Sequence, residues 1–411
     1  MSNSNISELI KLYASRQFIN TKVPDESVNW LIQPSPIVIN ATNNTTLDTI
    51  LKKCLEVGYR DVYLASGDYI RGRLYNMRQL ITDRELTHSE VTTLITTLTD
   101  ENYNRVYSGK SANGKYVLID KANPNNRIGF RYSLTTFTSE LDAGLEVAIR
   151  PIPETPPTAE EVGVENTLLK HIVSMSQGMI LLIGGTGTGK TTTLAAIMRY
   201  ILERPSHIRI LEFGRPPEYS WHKITVHPSN KILPMSVAED KTGGDMESYE
   251  EAISTAVRKA PDWIAVTEMT DQESFKAAIE FSNTGHIVSS SLHAKSIESA
   301  YSRIFMKFPS SEREALIDNL ISETEVMIAQ ELVDRIGGGM IAVREQLIQT
   351  QEVKEKLKES VTLGLTIFKR TIRECIANQG TSYAQTALSL FQKNLIAEKE
   401  YKRIVKTYGE Y

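Results

Sequence analysis

The chain is short of several things, and each shortage excludes a class of protein. It has two cysteines in 411 residues, Cys54 and Cys375. They lie far apart and match no metal-ligand spacing, so reduced thiols in a cytosolic protein are expected. No stretch approaches the roughly 20 apolar residues that a membrane span requires, so no transmembrane segment is expected and any membrane role would be peripheral or run through a partner. The opening Met-Ser-Asn-Ser-Asn-Ile-Ser-Glu lacks the basic start and apolar centre of a signal peptide. Excess positive charge is missing too: a formal net charge of −4 argues against a protein that coats nucleic acid, and no direct nucleic-acid binding is expected. What remains is ordinary globular composition, with 41% hydrophobic and 23% charged residues. That is enough to bury a core, over roughly two or three domains.

One stretch is not ordinary. Residues 184–191 read Gly-Gly-Thr-Gly-Thr-Gly-Lys-Thr, a complete Walker A loop. Gly184, Gly185, Gly187 and Gly189 carry no Cβ, so backbone N–H groups can close around a phosphate chain. Lys190 supplies positive charge at the β- and γ-phosphates, and the Thr191 hydroxyl can ligate Mg²⁺. The flanks agree. Met179 to Ile183 is an uninterrupted apolar run of strand length, as in a buried parallel strand. Leu194, Ile197, Met198 and Ile201 then recur at helical spacing, which places the loop at a helix N-terminus. A nucleoside triphosphate is the expected ligand, with ATP and Mg²⁺ as cofactors. Gly185, Thr186, Gly187, Thr188, Gly189, Lys190, Thr191 and Thr192 are the candidate cofactor-binding residues.

Along the chain, residues 1–40 form a loosely patterned leader broken by Pro34 and Pro36. An Asn/Thr cluster, Asn40 to Asn44, precedes a helix carrying Leu47, Ile50, Leu51 and Leu55 on one face. Asp61–Ala65, Tyr116–Ile119, Arg127–Leu134 and Leu145–Arg150 read as strands and Ser89–Leu98 as a helix, giving a mixed α+β domain over residues 41–150. Pro151, Pro153, Pro156 and Pro157 mark a stiff linker at 151–160. Strands then alternate with helices over 161–345, the pattern of a parallel sheet with covering helices. Strands are expected at 179–183, 208–213, 263–267 and 286–291. Beyond Gly337-Gly-Gly339 the chain reads as mostly helical, through a C-terminal segment at 346–411 whose mild basic excess suits a solvated surface.

Phosphoryl transfer also needs acids that place water and metal, and cations that stabilise charge on the γ-phosphate. In doubly wound sheets such groups stand at strand ends beside the P-loop. Asp262-Trp-Ile-Ala-Val-Thr-Glu268 is a buried-type strand ending on an acid; on this logic alone Glu268 is as readily an exposed turn residue. Thr284 to Ala294 is another strand, with His286 at its start and His293 beyond its end, and a single histidine is more often structural than catalytic.

Taken in order, these segments resemble the PilT/GspE superfamily of secretion ATPases, over roughly residues 45–400. Segment order and linker are most similar to its Dot/Icm DotB branch and the plasmid-transfer TraJ relatives. The resemblance implies a PAS-like N-terminal domain, a short linker and a RecA-like P-loop ATPase domain with a helical C-terminal segment. It also implies a cytoplasmic homohexamer, with nucleotide held between the two domains and a neighbouring subunit, working with secretion-system components at the cytoplasmic face of the inner membrane. Glu268 in Val-Thr-Glu-Met-Thr-Asp271 falls on the family's Walker B glutamate, a candidate catalytic and metal-binding residue alongside Thr191. His293 in Ser-Leu-His-Ala falls on the "His box" histidine, and Thr284-Gly-His286 opens that box. Phe130-Arg-Tyr132 and Ile149-Arg-Pro-Ile-Pro153 are similar to Phe-Arg-Val and Leu-Arg-x-Ile-Pro. Arg131 and Arg150 thereby become candidate arginine fingers, although without the resemblance they read as ordinary strand arginines facing solvent. Thr381 to Ile404 resembles the closing helical hairpin.

The departures concentrate in the "Asp box", whose first glutamate is held to be catalytic in the family. Here the segment is Ile210-Leu-Glu-Phe-Gly-Arg-Pro-Pro-Glu-Tyr219. Ungapped, that glutamate falls on Gly214 and its neighbour on Arg215; the second acid survives as Glu218. Glu212 lies two residues earlier on the same strand face and could substitute only with a backbone shift. Walker B neighbours change to Thr267 and Thr270. Nucleotide binding is expected to survive, with hydrolysis slower by on the order of 10²–10³ if an acid that orients water is lost. The expected function is ATP-driven transfer or assembly in a type IVB secretion or conjugation apparatus. The alternatives are a type IV pilus retraction motor and an ATP-binding assembly component that hydrolyses little.

Overall fold

A computed structural model describes residues 8–9, 47–74, 77–99, 106–109, 111–120, 127–138, 143–152, 155–215, 217–238, 245–269, 272–309 and 311–409. The expected leader apart from residues 8–9, the Asn40–Asn44 cluster, Pro153, Thr270 and Asp271 lie outside the described residues. The chain divides into two units, Met1–Glu154 and Thr155–Tyr411.

In the first unit, α1 (Leu47–Val57) buries Leu47, Ile50, Leu51, Cys54 and Leu55, the face its spacing announces. There follow β1 (Asp61–Ala65), β2 (Arg71–Leu74), β3 (Met77–Leu80), α2 (His88–Thr99), β4 (Ala112–Ile119), β5 (Arg127–Thr138) and β6 (Ala143–Pro151). The sheet runs β3-β2-β1-β6-β5-β4 with every pair antiparallel. Alternation sorts its faces: Ile128, Phe130 and Leu134 of β5 join α1 and α2 in one core, while Arg127 and Arg131 lie on the other face. β2 and β3 were not expected. Arg-Gly-Arg-Leu and Met-Arg-Gln-Leu are short and charged, and carry no apolar alternation to read.

The second unit begins with α3 (Asn166–Ser174) and the all-buried β7 (Gly178–Ile183), then α4 (Lys190–Leu202), β8 (Arg209–Gly214) and β9 (Lys231–Ser236). Next come α5 (Tyr249–Val257), β10 (Trp263–Val266), α6 (Gln272–Asn283), β11 (Ile287–Leu292), α7 (Ile297–Lys307) and α8 (Arg313–Glu323). β12 (Thr324–Asp334) and β13 (Met340–Ile348) form a hairpin, and α9 (Gln351–Thr362), α10 (Leu365–Gln379), α11 (Tyr383–Gln392) and α12 (Glu398–Tyr408) finish the chain. The strand order is β13-β12-β7-β11-β10-β8-β9, parallel except for β13. β7 therefore sits inside the sheet, which is why its six residues are all apolar or Gly and all buried.

One sequence expectation needs correcting here, and β9, β12 and β13 were not expected as strands. The chain after Gly339 does not turn helical at once. Gly337, Gly338 and Gly339 adopt φ of +86°, +100° and +79°, a turn that sends β13 back along β12. β13 is covered on both faces over part of its length, which erased the period-2 signal. β9 was hidden by Pro234, which an edge strand tolerates because one row of donors goes unused. Among the described residues no helix is long and apolar enough to cross a membrane.

Candidate active site

β7 ends at Ile183, and the chain turns through Gly184–Gly189 into α4. Gly187 and Gly189 take φ of +78° and +83°, a conformation that costs an L-residue roughly 1–2 kcal/mol. Gly184 is required by space instead: a Cβ there would collide with Thr188 Oγ1 and stand 2.7 Å from the Gln330 carbonyl oxygen. Lys190 opens the helix, and its ammonium donates to the carbonyl oxygens of Gly184 (2.9 Å) and Gly185 (2.8 Å). Burial lowers the Lys190 pKa, and the carboxylates of Glu268 and Glu218 push it back up. Those two acids are therefore the ones that the fold sets in electrostatic range of the P-loop lysine. In the same turn, Thr192 Oγ1 accepts from the Tyr219 hydroxyl at 2.9 Å, which ties the segment after β8 to α4.

The second cluster comes from neighbouring parallel strands. Val266 of β10 is opposite Ser290 of β11, so the residues just past the two strand ends, Glu268 and His293, meet. His293 Nε2 lies 3.2 Å from Glu268 Oε1. Thr267 N–H and Oγ1 both donate to the Phe213 carbonyl (2.9 and 2.8 Å), and Ser291 Oγ donates to the Thr267 carbonyl at 2.6 Å. These bonds hold the turn that presents Glu268. Arg303 reaches back from α7 to the His293 carbonyl at 2.5 Å. His286, by contrast, stands at the opposite end of β11, its ring tilted against Phe281 at 4.2 Å and its Nδ1 bonded to Thr284 Oγ1. Six residues of strand, roughly 20 Å, separate it from this cluster.

Glu212 does not take the place of the missing Asp-box acid. β8 keeps regular pairing with β9 through Gly214, so no shift brings Glu212 forward. Its carboxyl is buried and accepts from Trp221 Nε1 at 2.6 Å. Burial, opposed by that bond and assisted by Glu218, pushes its pKa up to about 7. Arg215 lies over the Tyr249 ring at 4.5 Å.

In the first unit Arg131 and Arg150 are direct cross-strand partners. Arg150 grips the buried carboxylate of Asp61, through Nε at 2.6 Å and Nη2 at 2.5 Å, with Arg73 at 3.9 Å on its other oxygen. Arg150 is thus an anchored arginine rather than a freely solvated one.

Sequence reasoning missed Gln330 and Arg344. Gln330 Nε2 donates to the Thr188 carbonyl of the P-loop at 2.5 Å, and its Oε1 accepts from Thr193 Oγ1 at 2.8 Å and Arg344 Nε at 2.7 Å. The available signal was a polar residue inside the apolar run Val326-Met-Ile-Ala-Gln330.

A glycine cradle at a helix N-terminus, a buried lysine and an acid at the end of a neighbouring strand fit a nucleoside triphosphate. Lys190 and the loop N–H groups would hold its phosphates. Thr191 and Glu268 would meet a magnesium ion, which supplies charge neutralisation at the phosphates. Among the described residues no group of three or more His, Cys, Asp or Glu is placed to hold a metal without such a ligand. The fold and the site define a P-loop ATPase: an N-terminal α+β domain followed by a RecA-like domain with a helical C-terminal segment. Over residues 124–391 the chain matches the family described as Type II/IV secretion system protein, and it belongs to that family. It is 33% identical over 269 residues to the type IV pilus retractation ATPase PilT of Pseudomonas aeruginosa, covering 65% of this chain and 72% of that protein. The X-ray structure of the Legionella pneumophila ATPase DotB superposes with a TM-score of 0.78 at 24% identity, covering 90% of this chain and 99% of that one. The pilus retraction motor PilT with bound ADP gives a TM-score of 0.71 at 23% identity, covering 87% and 96%. The expected PilT/GspE kinship is borne out.

Proposed function

We propose that this chain hydrolyses ATP with Mg²⁺ as the motor of a type IVB secretion or conjugal transfer apparatus. It would work as a cytoplasmic homohexamer that meets membrane components through partners. The observation that carries the catalytic part is that Glu268, paired with His293, and Glu218 act on Lys190 beyond the C-terminal ends of the parallel strands. Lys190 and the loop N–H groups bind and orient the phosphates. Glu268, held by His293, orients the attacking water or the metal, and Glu218 adds negative charge beside Lys190. Arg131 and Arg150 are proposed to stabilise phosphate charge when the ring closes, with Asp61 anchoring the Arg150 guanidinium.

A second reading has a specific observation behind it. Gly214 offers no carboxylate, and Glu212 is sealed beneath Trp221, so ATP could act mainly as a conformational latch with slow turnover. A pilus retraction motor is a third, favoured by the identity to PilT. Steady-state ATP hydrolysis by wild type, Lys190→Ala and Gly214→Glu separates the first two. Turnover in wild type that Lys190→Ala abolishes supports the motor. A wild type that binds ATP without turning it over, and a Gly214→Glu variant that gains turnover, would reject it in favour of the latch.

A further inference from the structure

Behind the P-loop, Gln330 of β12 and Arg344 of β13 face each other in register, exposed by only 2% and 7%. Among the described residues, every hydrogen bond of the Arg344 side chain goes to a neutral oxygen: Gln330 Oε1 at 2.7 Å, Gly163 O at 2.8 Å, Val162 O at 2.7 Å and Thr193 Oγ1 at 3.3 Å. Burying a guanidinium with no carboxylate hydrogen-bonded to it, and only Glu165 near enough to act through its charge, is costly, and its rigid fork of five donors repays that only where acceptors sit at fixed positions. Two of those acceptors belong to the turn that follows the proline-rich segment. That turn is closed by Val162 and Gly163 N–H bonds to Thr158 and Glu160, and Gly163 takes φ of +65°. A second arginine, Arg199 of the P-loop helix, donates to the Pro156 carbonyl at 2.7 Å.

We propose that Arg344 is a positioning residue that acts through Gln330 on the P-loop, and that it couples the 156–163 segment to nucleotide binding. The chemistry is directional. Arg344 has donors and no acceptor, so the amide oxygen of Gln330 must face it, and the Thr193 hydroxyl donates to that same oxygen. The amide nitrogen is thereby turned onto the Thr188 carbonyl. In a trans peptide the C=O and the following N–H point in opposite directions, so anchoring Thr188 O on β12 aims the Gly189 N–H away from β12. Gly189 has φ of +83°, and a Cβ on it would stand 2.9 Å from Gln330 Nε2, so loop and amide are matched in shape as well. An ordered 156–163 segment thus favours one P-loop conformation, and nucleotide on that conformation favours an ordered segment.

The proposal rests on the nucleotide-site reading above, and its test separates the two. Gln330→Glu is isosteric, keeps an oxygen for Arg344 and Thr193, and replaces only the donor to Thr188 with a second oxygen. Its expected signature is a melting temperature at or above that of wild type with ATP and ADP dissociation constants weakened about tenfold, read by titration of a fluorescent nucleotide. Hydrogen–deuterium exchange on Arg344→Lys is the companion measurement. Nucleotide slows exchange in both the P-loop and residues 158–164 of wild type, and the protection at 158–164 is lost in the variant while that at the P-loop persists. Affinity within twofold of wild type in Gln330→Glu, or equal protection at 158–164 in Arg344→Lys, overturns the coupling. Loss of fold in both variants assigns the pair to core packing and overturns it as well. A wild type that binds no nucleotide rejects the ATPase reading, and the relay with it.

Discussion

Replacing Glu212 by glutamine should make the protein's stability less sensitive to alkali. In the folded protein the pKa of the Glu212 carboxyl is pushed up to about 7 from its ordinary 4.5. The cause is burial, with the Trp221 indole partly compensating and Glu218 adding repulsion. Between those two pH values the folded chain holds a proton that the unfolded chain has released. This contribution to stability is therefore full below about pH 4.5 and is lost as the pH rises through 7. A gap of about 2.5 pH units at 1.36 kcal/mol each amounts to roughly 3 kcal/mol in all, of which about 2.5 kcal/mol falls between pH 5 and pH 8. Glutamine mimics the protonated acid, still accepts from Trp221, and does not titrate. Any fixed cost of its extra N–H group cancels when one variant is compared with itself at two pH values. Glu345, also pushed up to about 7 by burial, titrates in both proteins and cancels as well. Urea unfolding followed by tryptophan fluorescence suits the measurement, because Trp221 and Trp263 both lie in the second unit. The stability of Glu212→Gln relative to wild type should rise by about 2.5 kcal/mol from pH 5 to pH 8. Parallel pH curves, agreeing within about 0.5 kcal/mol, would show that Glu212 is not held protonated and refute the reasoning.

Other substitutions probe the site and its frame. Glu268→Gln should keep nucleotide affinity while lowering single-turnover hydrolysis on the order of 10²–10³, because it removes the charge that orients water but no phosphate contact; unchanged turnover would remove Glu268 from the chemistry. Gly189→Ala should cost roughly 1–2 kcal/mol in a thermal melt and weaken nucleotide binding, since the position is left-handed and faces Gln330. Arg150→Ala should destabilise the first unit by roughly 1.5–3 kcal/mol, because Asp61 is left buried without its closest cation. Adding Asp61→Asn should recover much of that loss in the same denaturation assay, and failure to recover would show that the pair is not what Arg150 stabilises.

Much of the second unit was legible because its signals are local. Six apolar or Gly residues, a glycine loop and an amphipathic helix announce β7, the P-loop and α4 without reference to anything distant. The strand ending before Glu268 and the one before His293 were legible for the same reason. The short strands β2, β3 and β9 were not, because they carry charge or proline where the buried strands of the parallel sheet carry valine or isoleucine. β13 failed for the opposite reason, since burial on both faces removes alternation.

By itself, then, the sequence determined that a phosphate-binding loop exists, where it lies, and which strand ends could serve it. Those properties reside in backbone freedom, side-chain charge and periodicity within a dozen residues. Tertiary structure decided what the polar side chains do once water is gone. It brought His293 onto Glu268, closed Trp221 over Glu212, engaged Arg150 with Asp61, and set Gln330 against a loop 142 positions away. A buried donor or acceptor must take whichever partner the packing leaves within reach, and only the folded chain specifies that partner.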